Sequence, residues 1–160
     1  MREILPLLRS TSLFTGLTEE ETESLLSALH GEMRAFDREE LLLRAGQPVR
    51  AFGVLLSGGA LVRQEDFWGN QNILSSLRPG DCFAETFACL PGAALNVDVA
   101  ASQPCKALFL ETQGLLTGGL SAHAGGARFL QNFLVNLAGK NLRLNEKITH
   151  MGQRSTRAKV

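Results

Sequence analysis

Between Met33 and Glu111 the apolar residues abandon helical spacing and fall into short runs broken by turn residues. The runs are Met33 to Asp37, Leu41 to Arg44, Phe52 to Leu56, Ala60 to Glu65, Asn70 to Leu77, Asn96 to Ala101 and Cys105 to Glu111. Between them lie Gly46-Gln47-Pro48, Ser57-Gly58-Gly59, Trp68-Gly69-Asn70, Pro79-Gly80-Asp81 and Pro91-Gly92. Glycine supplies positive φ and proline withholds a ladder donor, so each cluster ends one strand and turns the chain toward the next. Seven or eight short strands at this spacing predict a sandwich or barrel. Val97, Val99 and Ala101 alternate with Asp98, as one buried and one wet face require. Asp66 to Asn70 reads as a hairpin tip.

Helices flank this region. Thr18 and Glu21 form a capping box, each side chain satisfying the other's backbone N–H. Glu19, Glu20, Glu21 and Glu23 crowd the positive end of the same helix dipole. Leu17 staples the entry, Leu25, Leu26 and Leu29 supply the apolar face, and Gly31 is the stop, so residues 18–30 are predicted helical. After the breakers Gly118-Gly119 and Gly125-Gly126, a long helix is expected from Ala127 to Gly152. Within it Leu130, Leu134, Leu137, Asn141, Leu144, Ile148 and Met151 advance in steps of four and three. That is a heptad seam with one polar member, suited to pairing with a second copy; a helix packed only on its own domain does not require so strict a register. Phe129 and Phe133 widen the apolar surface enough to bind the β unit as well. Ser155 is expected to cap a new helix that begins with Thr156-Arg157-Ala158-Lys159-Val160.

Charge and cysteine usage exclude several functions. Sixteen basic residues balance sixteen acidic ones, so no bulk field draws the chain to nucleic acid or an anionic membrane. The longest apolar runs, such as Leu41 to Leu43 and Ala107 to Leu110, fall far short of the roughly 20 residues that cross a bilayer. Met1-Arg2-Glu3 followed by Pro6 does not read as a secretory signal. Three cysteines, Cys82, Cys89 and Cys105, make a disulfide framework improbable and point to a reduced, cytoplasmic setting. They lack C-x₂-C spacing and cannot supply the four thiolates of an iron–sulfur cluster. Buried free thiols are the expectation; Cys82 and Cys89 are the candidates should a haem or redox-sensing thiolate be present.

A metal-dependent barrel enzyme needs histidines converging from strands. Here His30 falls at a helix end, His123 in a Gly-rich loop and His150 on the terminal helix. No nucleophile–base pair sits at a plausible elbow, and no phosphate-cradling G-x-x-x-x-G-K-[ST] loop is present. An enzyme is not expected.

The order of elements is similar to the N-terminal effector domain of the Crp/Fnr superfamily of bacterial transcription regulators. The resemblance rests on Leu13-Phe14-x-Gly-Leu17, Arg44-Ala-Gly-Gln-Pro48, Phe52 through Val62, Arg78-Pro-Gly-Asp-Cys-Phe-Ala-Glu85 and Phe133 through Arg157. It covers nearly the whole chain. It implies a mainly β fold, a double-stranded β-helix or jelly-roll with N-terminal helices and a long C-terminal dimerisation helix. The implied division is a sensing unit over residues 1–126, a dimerisation helix over 127–152, and the start of a winged helix-turn-helix over 153–160. It further implies a homodimer that meets DNA through that second domain and answers to a small effector. The alternative is a stand-alone regulatory module acting on a protein partner.

The resemblance also points to a pocket. In relatives that bind cyclic nucleotides, a short helix offers backbone N–H groups to the phosphate, a Glu holds the ribose hydroxyl, and an Arg about ten residues on neutralises the phosphate. Here the helix corresponds to Ala84 to Cys89, and Glu85 matches the ribose-binding acid. Phe83, Ala84, Thr86 and Phe87 are the residues beside it. The arginine position falls at Leu95-Asn96, and no Lys or Arg occurs from Pro79 to Cys105, where Asp81, Glu85 and Asp98 do. Cyclic AMP is therefore not the expected effector. The apolar cassette either lines a pocket for a small, largely uncharged or aromatic molecule or simply fills the interior. The sequence does not identify a cofactor. A cation from the long helix, Arg128 or Arg143, would alter this balance if it reached the pocket.

Overall fold

The chain changes sheets almost every time it turns. In a computed structural model describing the backbone of residues 2–158 and the side chains of residues 3–146, the strands are β1 (Glu32–Phe36), β2 (Leu41–Leu43), β3 (Ala51–Ser57), β4 (Ala60–Glu65), β5 (Gln71–Leu77), β6 (Cys82–Phe83), β7 (Asp98–Ala101) and β8 (Cys105–Glu111). They form two four-stranded antiparallel sheets, ordered β1-β8-β3-β6 and β2-β7-β4-β5. This is the predicted jelly-roll architecture. All seven strands read from the sequence are present. The eighth, β6, has only two residues and is too short to show alternation.

The centre of the first sheet, β3 and β8, is buried on both faces while β1 at its edge is largely exposed, which explains the unbroken apolar run in β3. Phe52, Val54 and Leu56 of β3, with Leu108 and Leu110 of β8, face a cluster built from the helices. Leu55, Ala107 and Phe109 point the other way, into the roll, and meet Val99 and Ala101 of the second sheet. Strand period two thus divides one sheet between two cores.

The helices are α1 (Leu5–Arg9), α2 (Glu19–Ala28), α3 (Glu85–Ala88), α4 (Gln113–Leu116) and α5 (Gly126–Ala158). The capping box at Thr18 forms as read, with Glu21 N–H donating to Thr18 Oγ1 at 3.1 Å and Thr18 N–H to Glu21 Oε1 at 2.9 Å. The stop differs by one residue. His30, not Gly31, takes the left-handed conformation (φ 51°), and Gly31 N–H closes the turn on the Leu26 carbonyl at 2.8 Å. His30 Nδ1 lies 3.1 Å from a carboxylate oxygen of Glu111, a local partner that accompanies the unusual backbone.

Helix α5 is fastened by aromatic packing. Phe129 packs on Phe14 and Phe133 on Phe52 as tilted ring pairs, each with ring centroids 5.2 Å apart, and both helix residues are buried. Asn132, buried beside them, donates through Nδ2 to the Leu13 and Thr15 carbonyls, both at 2.9 Å. Those bonds satisfy an amide that would otherwise be costly to desolvate. The expected break at Gly152 and fresh cap at Ser155 do not appear, because the helical backbone runs on to Ala158. A lone glycine costs about 1 kcal/mol relative to alanine, too little to stop a helix with good formers on both sides.

Of the seam residues, Leu134, Asn141 and Leu144 are exposed in the single chain, and Leu130 is half-buried. Leu137 is half-buried and packs on the core. The side chains of Ile148 and Met151 lie outside the described residues. Val135 and Leu142, which the seam omits, are 65% and 59% exposed, so the free apolar arc of α5 is broader than one heptad stripe.

Candidate ligand-binding site

The turn Pro79-Gly80-Asp81 sets up the site. Asp81 Oδ2 accepts from Arg78 N–H at 2.9 Å, and Gly80 N–H donates to the Leu55 carbonyl at 2.7 Å. β6 then pairs with β3, placing Phe83 opposite Gly53. A side chain at Gly53 would collide with the Phe83 ring, so glycine there is what lets the ring lie against the strand. Ala84 follows in the left-handed conformation (φ 63°) and opens α3. Alanine is strained there by about 1–2 kcal/mol, a local cost that swings Glu85 inward. Thr112 holds the far end of α3, its hydroxyl donating to the Ala88 carbonyl at 2.7 Å.

The cassette borders a cavity of about 380 Å³. Phe83, Ala84, Glu85, Thr86 and Phe87 all line it, with Val62, Ser75, Leu77, Cys82, Val97 and Val99 from the roll and Lys140 and Leu144 from α5. The pocket is therefore open, not filled by its own side chains. Leu95 and Asn96 do not line it. Leu95 is buried elsewhere, its N–H donating to the Gln47 carbonyl at 2.9 Å and its carbonyl accepting from Gly46 N–H at 2.8 Å. Asn96 is exposed. The loop that would carry the phosphate-binding arginine is thus pinned to the β2–β3 connection.

Of the three acids in the cassette interval, only Glu85 faces the cavity. Asp81 is engaged by the turn, and Asp98 Oδ1 accepts from Ala45 N–H at 2.7 Å. Glu85 is buried, and its carboxylate forms an ion pair with Lys140 Nζ, which also donates to the Cys82 carbonyl at 2.7 Å. Lys140 is the one cationic side chain among the described lining residues. The cation from the long helix is therefore Lys140 and not Arg128 or Arg143; Arg128 lies against Gly16, and Arg143 is exposed. A signal for it was present. Lys140 stands seven residues after Phe133, two turns along the same helix face.

The thiols are quiet. Burial, with the Glu85 carboxylate adding to it, pushes the Cys82 thiol up to about 12, and burial also raises Cys89 and Cys105. A thiolate is the nucleophile and metal ligand, so burial lowers the reactivity of all three, most strongly at Cys82. Ellman's reagent at pH 8 is expected to leave Cys82 and Cys105 unmodified in the folded protein and to label all three cysteines after denaturation. Rapid labelling of Cys82 in the native state would contradict this. Among the described residues, no three His, Cys, Asp or Glu side chains converge as a metal site, and no helix is long and apolar enough to cross a membrane.

The family model for the cyclic nucleotide-binding domain matches residues 33–117, the whole roll and cassette. The chain belongs to the cyclic nucleotide-binding domain family. Solved structures agree on the fold. The sensor domain of the transcriptional regulator DNR from Pseudomonas aeruginosa superposes with a TM-score of 0.69 at 23% identity, covering 92% of this chain and 93% of that one. The N-terminal domain of a transcriptional regulator from Streptomyces coelicolor gives 0.67 at 21% identity, covering 89% and 94%. The Catabolite Activator Protein of Thermus thermophilus gives 0.70 at 23% identity, covering 91% of this chain but 63% of its own length. No curated protein matches the chain in sequence. At 21–23% identity these likenesses show the fold that the motif resemblance implied.

Proposed function

We propose that this chain is the effector-sensing and dimerisation half of a Crp/Fnr-type transcription regulator, and that its effector is a small, largely apolar molecule other than cyclic AMP. In this reading a cytoplasmic homodimer forms along α5, through Leu130, Leu134, Leu137, Asn141, Leu144, Ile148 and Met151. DNA is met through a separate C-terminal winged helix-turn-helix. Family membership supports a sensing role, and the exposed apolar residues of α5 support pairing.

The observation that carries the effector reading is the cavity itself, walled by apolar side chains and with no free cation among its described lining residues. A charge-assisted hydrogen bond contributes about 1.5–3 kcal/mol, and a phosphate desolvated without one loses more than that. Leu95 cannot supply it, and Lys140 is already committed to Glu85. Occupancy is transmitted through α5, because Lys140 lines the cavity while the adjacent Asn141 belongs to the proposed dimer seam. A polar seam residue specifies register at some stability cost, which suits a two-state packing choice.

Calorimetric titration and sedimentation test the reading together. Cyclic AMP is expected to give no saturable heat in the micromolar range, and the protein is expected to sediment as a dimer. Micromolar cyclic AMP binding would overturn the effector assignment; a persistent monomer would overturn the dimer.

A further inference from the structure

We infer that the Lys140–Glu85 pair is the charge selector of the cavity, so that the site admits neutral guests and rejects anions. The inference deepens the proposed function and rests on the cavity being a binding site. Glu85 lies on the cassette and Lys140 on the long helix, 55 positions further along the chain, and both face the same apolar space. Their charges cancel. Removing water from a charged guest is tolerated only where an opposite charge or a set of hydrogen bonds replaces it. Among the described lining residues, the one cation available to an anion is held by a buried carboxylate. Freeing it would strand that carboxylate among Cys82, Phe83 and Val99, a loss comparable with the gain. Selectivity therefore comes from the cost imposed on the wrong guest.

Glu85 is 4% exposed at its side chain and Lys140 41%, so the acid is the fixed member and the lysine the adaptable one. This asymmetry makes the inference directional. Removing the acid leaves an unopposed ammonium at the rim and converts the site to an anion binder. Removing both charges returns it to neutral selection.

Two fluorescent dyes differing by one sulfonate provide the probe: neutral N-phenylnaphthylamine and anionic anilinonaphthalene sulfonate. The unmodified protein is expected to bind the neutral dye at least about tenfold more tightly than the sulfonate. Glu85→Gln is expected to raise sulfonate affinity by about tenfold, and Glu85→Gln with Lys140→Met to lower it again, since a tenfold change corresponds to about 1.4 kcal/mol of ionic discrimination. Val97→Trp, which projects an indole into the cavity, separates this site from the exposed α5 surface and is expected to abolish neutral-dye binding. Equal affinities in the unmodified protein, or a preference indifferent to Glu85→Gln, would overturn the selector while leaving the cavity as a site. Absence of neutral-dye binding, or binding that survives Val97→Trp in a folded variant, would overturn the site and the selector together.

Discussion

Phe129→Ala is expected to destabilise the domain by about 3–5 kcal/mol, the range for truncating a buried phenylalanine. Phe129 is fully buried, packs on Phe14 at 5.2 Å between ring centroids, and stacks over Phe133 at 6.5 Å. Its loss leaves a void between α5, the N-terminal segment and the sheet face carrying Phe52. The neighbours cannot collapse into it easily, because Asn132 ties α5 to Leu13 and Thr15 on one side and β3 is held by its ladder on the other. For a domain of this size each kcal/mol lowers the midpoint by about 2–4 °C, so thermal unfolding should fall by roughly 10 °C. A drop of only one or two degrees would mean that α5 is not anchored by this ring. The position matters beyond stability. It fixes the axial setting of α5, and with it the reach of Lys140.

Lys140→Met is expected to cost about 3 kcal/mol, and Glu85→Gln added to it should recover most of the loss. Breaking a buried ion pair from one side costs about 3–5 kcal/mol, because the remaining charge stays desolvated without compensation. The lower end applies here. Lys140 is 41% exposed at its side chain, so water replaces part of what the ammonium supplied. The Cys82 carbonyl loses its donor in the same step. In the double variant no charge is left behind, and methionine covers the same apolar wall as the lysine stem. Denaturant melts of the two single variants and the double variant measure the coupling. If the two single losses simply sum to that of the double variant, the pair is not coupled, and the charge cancellation proposed for the cavity fails with it.

Local signals carried much of this structure. Thr18 and Glu21 are three residues apart, and their box requires nothing outside the first turn of α2. The Gly and Pro clusters from Gly46 to Gly92 bound the strands between them, but alternation was a poorer guide: β3 is an unbroken apolar run, and β7 buries Val99, Ala100 and Ala101 alike. Glu85 could be placed beside Phe83 and Phe87 because the whole cassette is contiguous in sequence. Where two local signals competed, the weaker one misled. Gly31 looked like the left-handed stop, yet His30 takes it, the next hydrogen bond down the helix end being the one that closes. Gly152 looked like a terminus, yet one glycine's conformational freedom does not outweigh the helical propensity around it.

The strands, the capped helix, the amphipathic α5 and the lack of any arginine in the cassette were determined by the sequence alone, since each depends on neighbours within a few residues. Only the tertiary structure decided that Leu95 is folded under the surface, that the roll keeps a cavity, and that Lys140 meets Glu85 across it. Those outcomes depend on where Phe129 and Phe133 seat a rigid helix against a distant sheet. That is a packing solution among side chains more than fifty positions apart, and no local pattern encodes it.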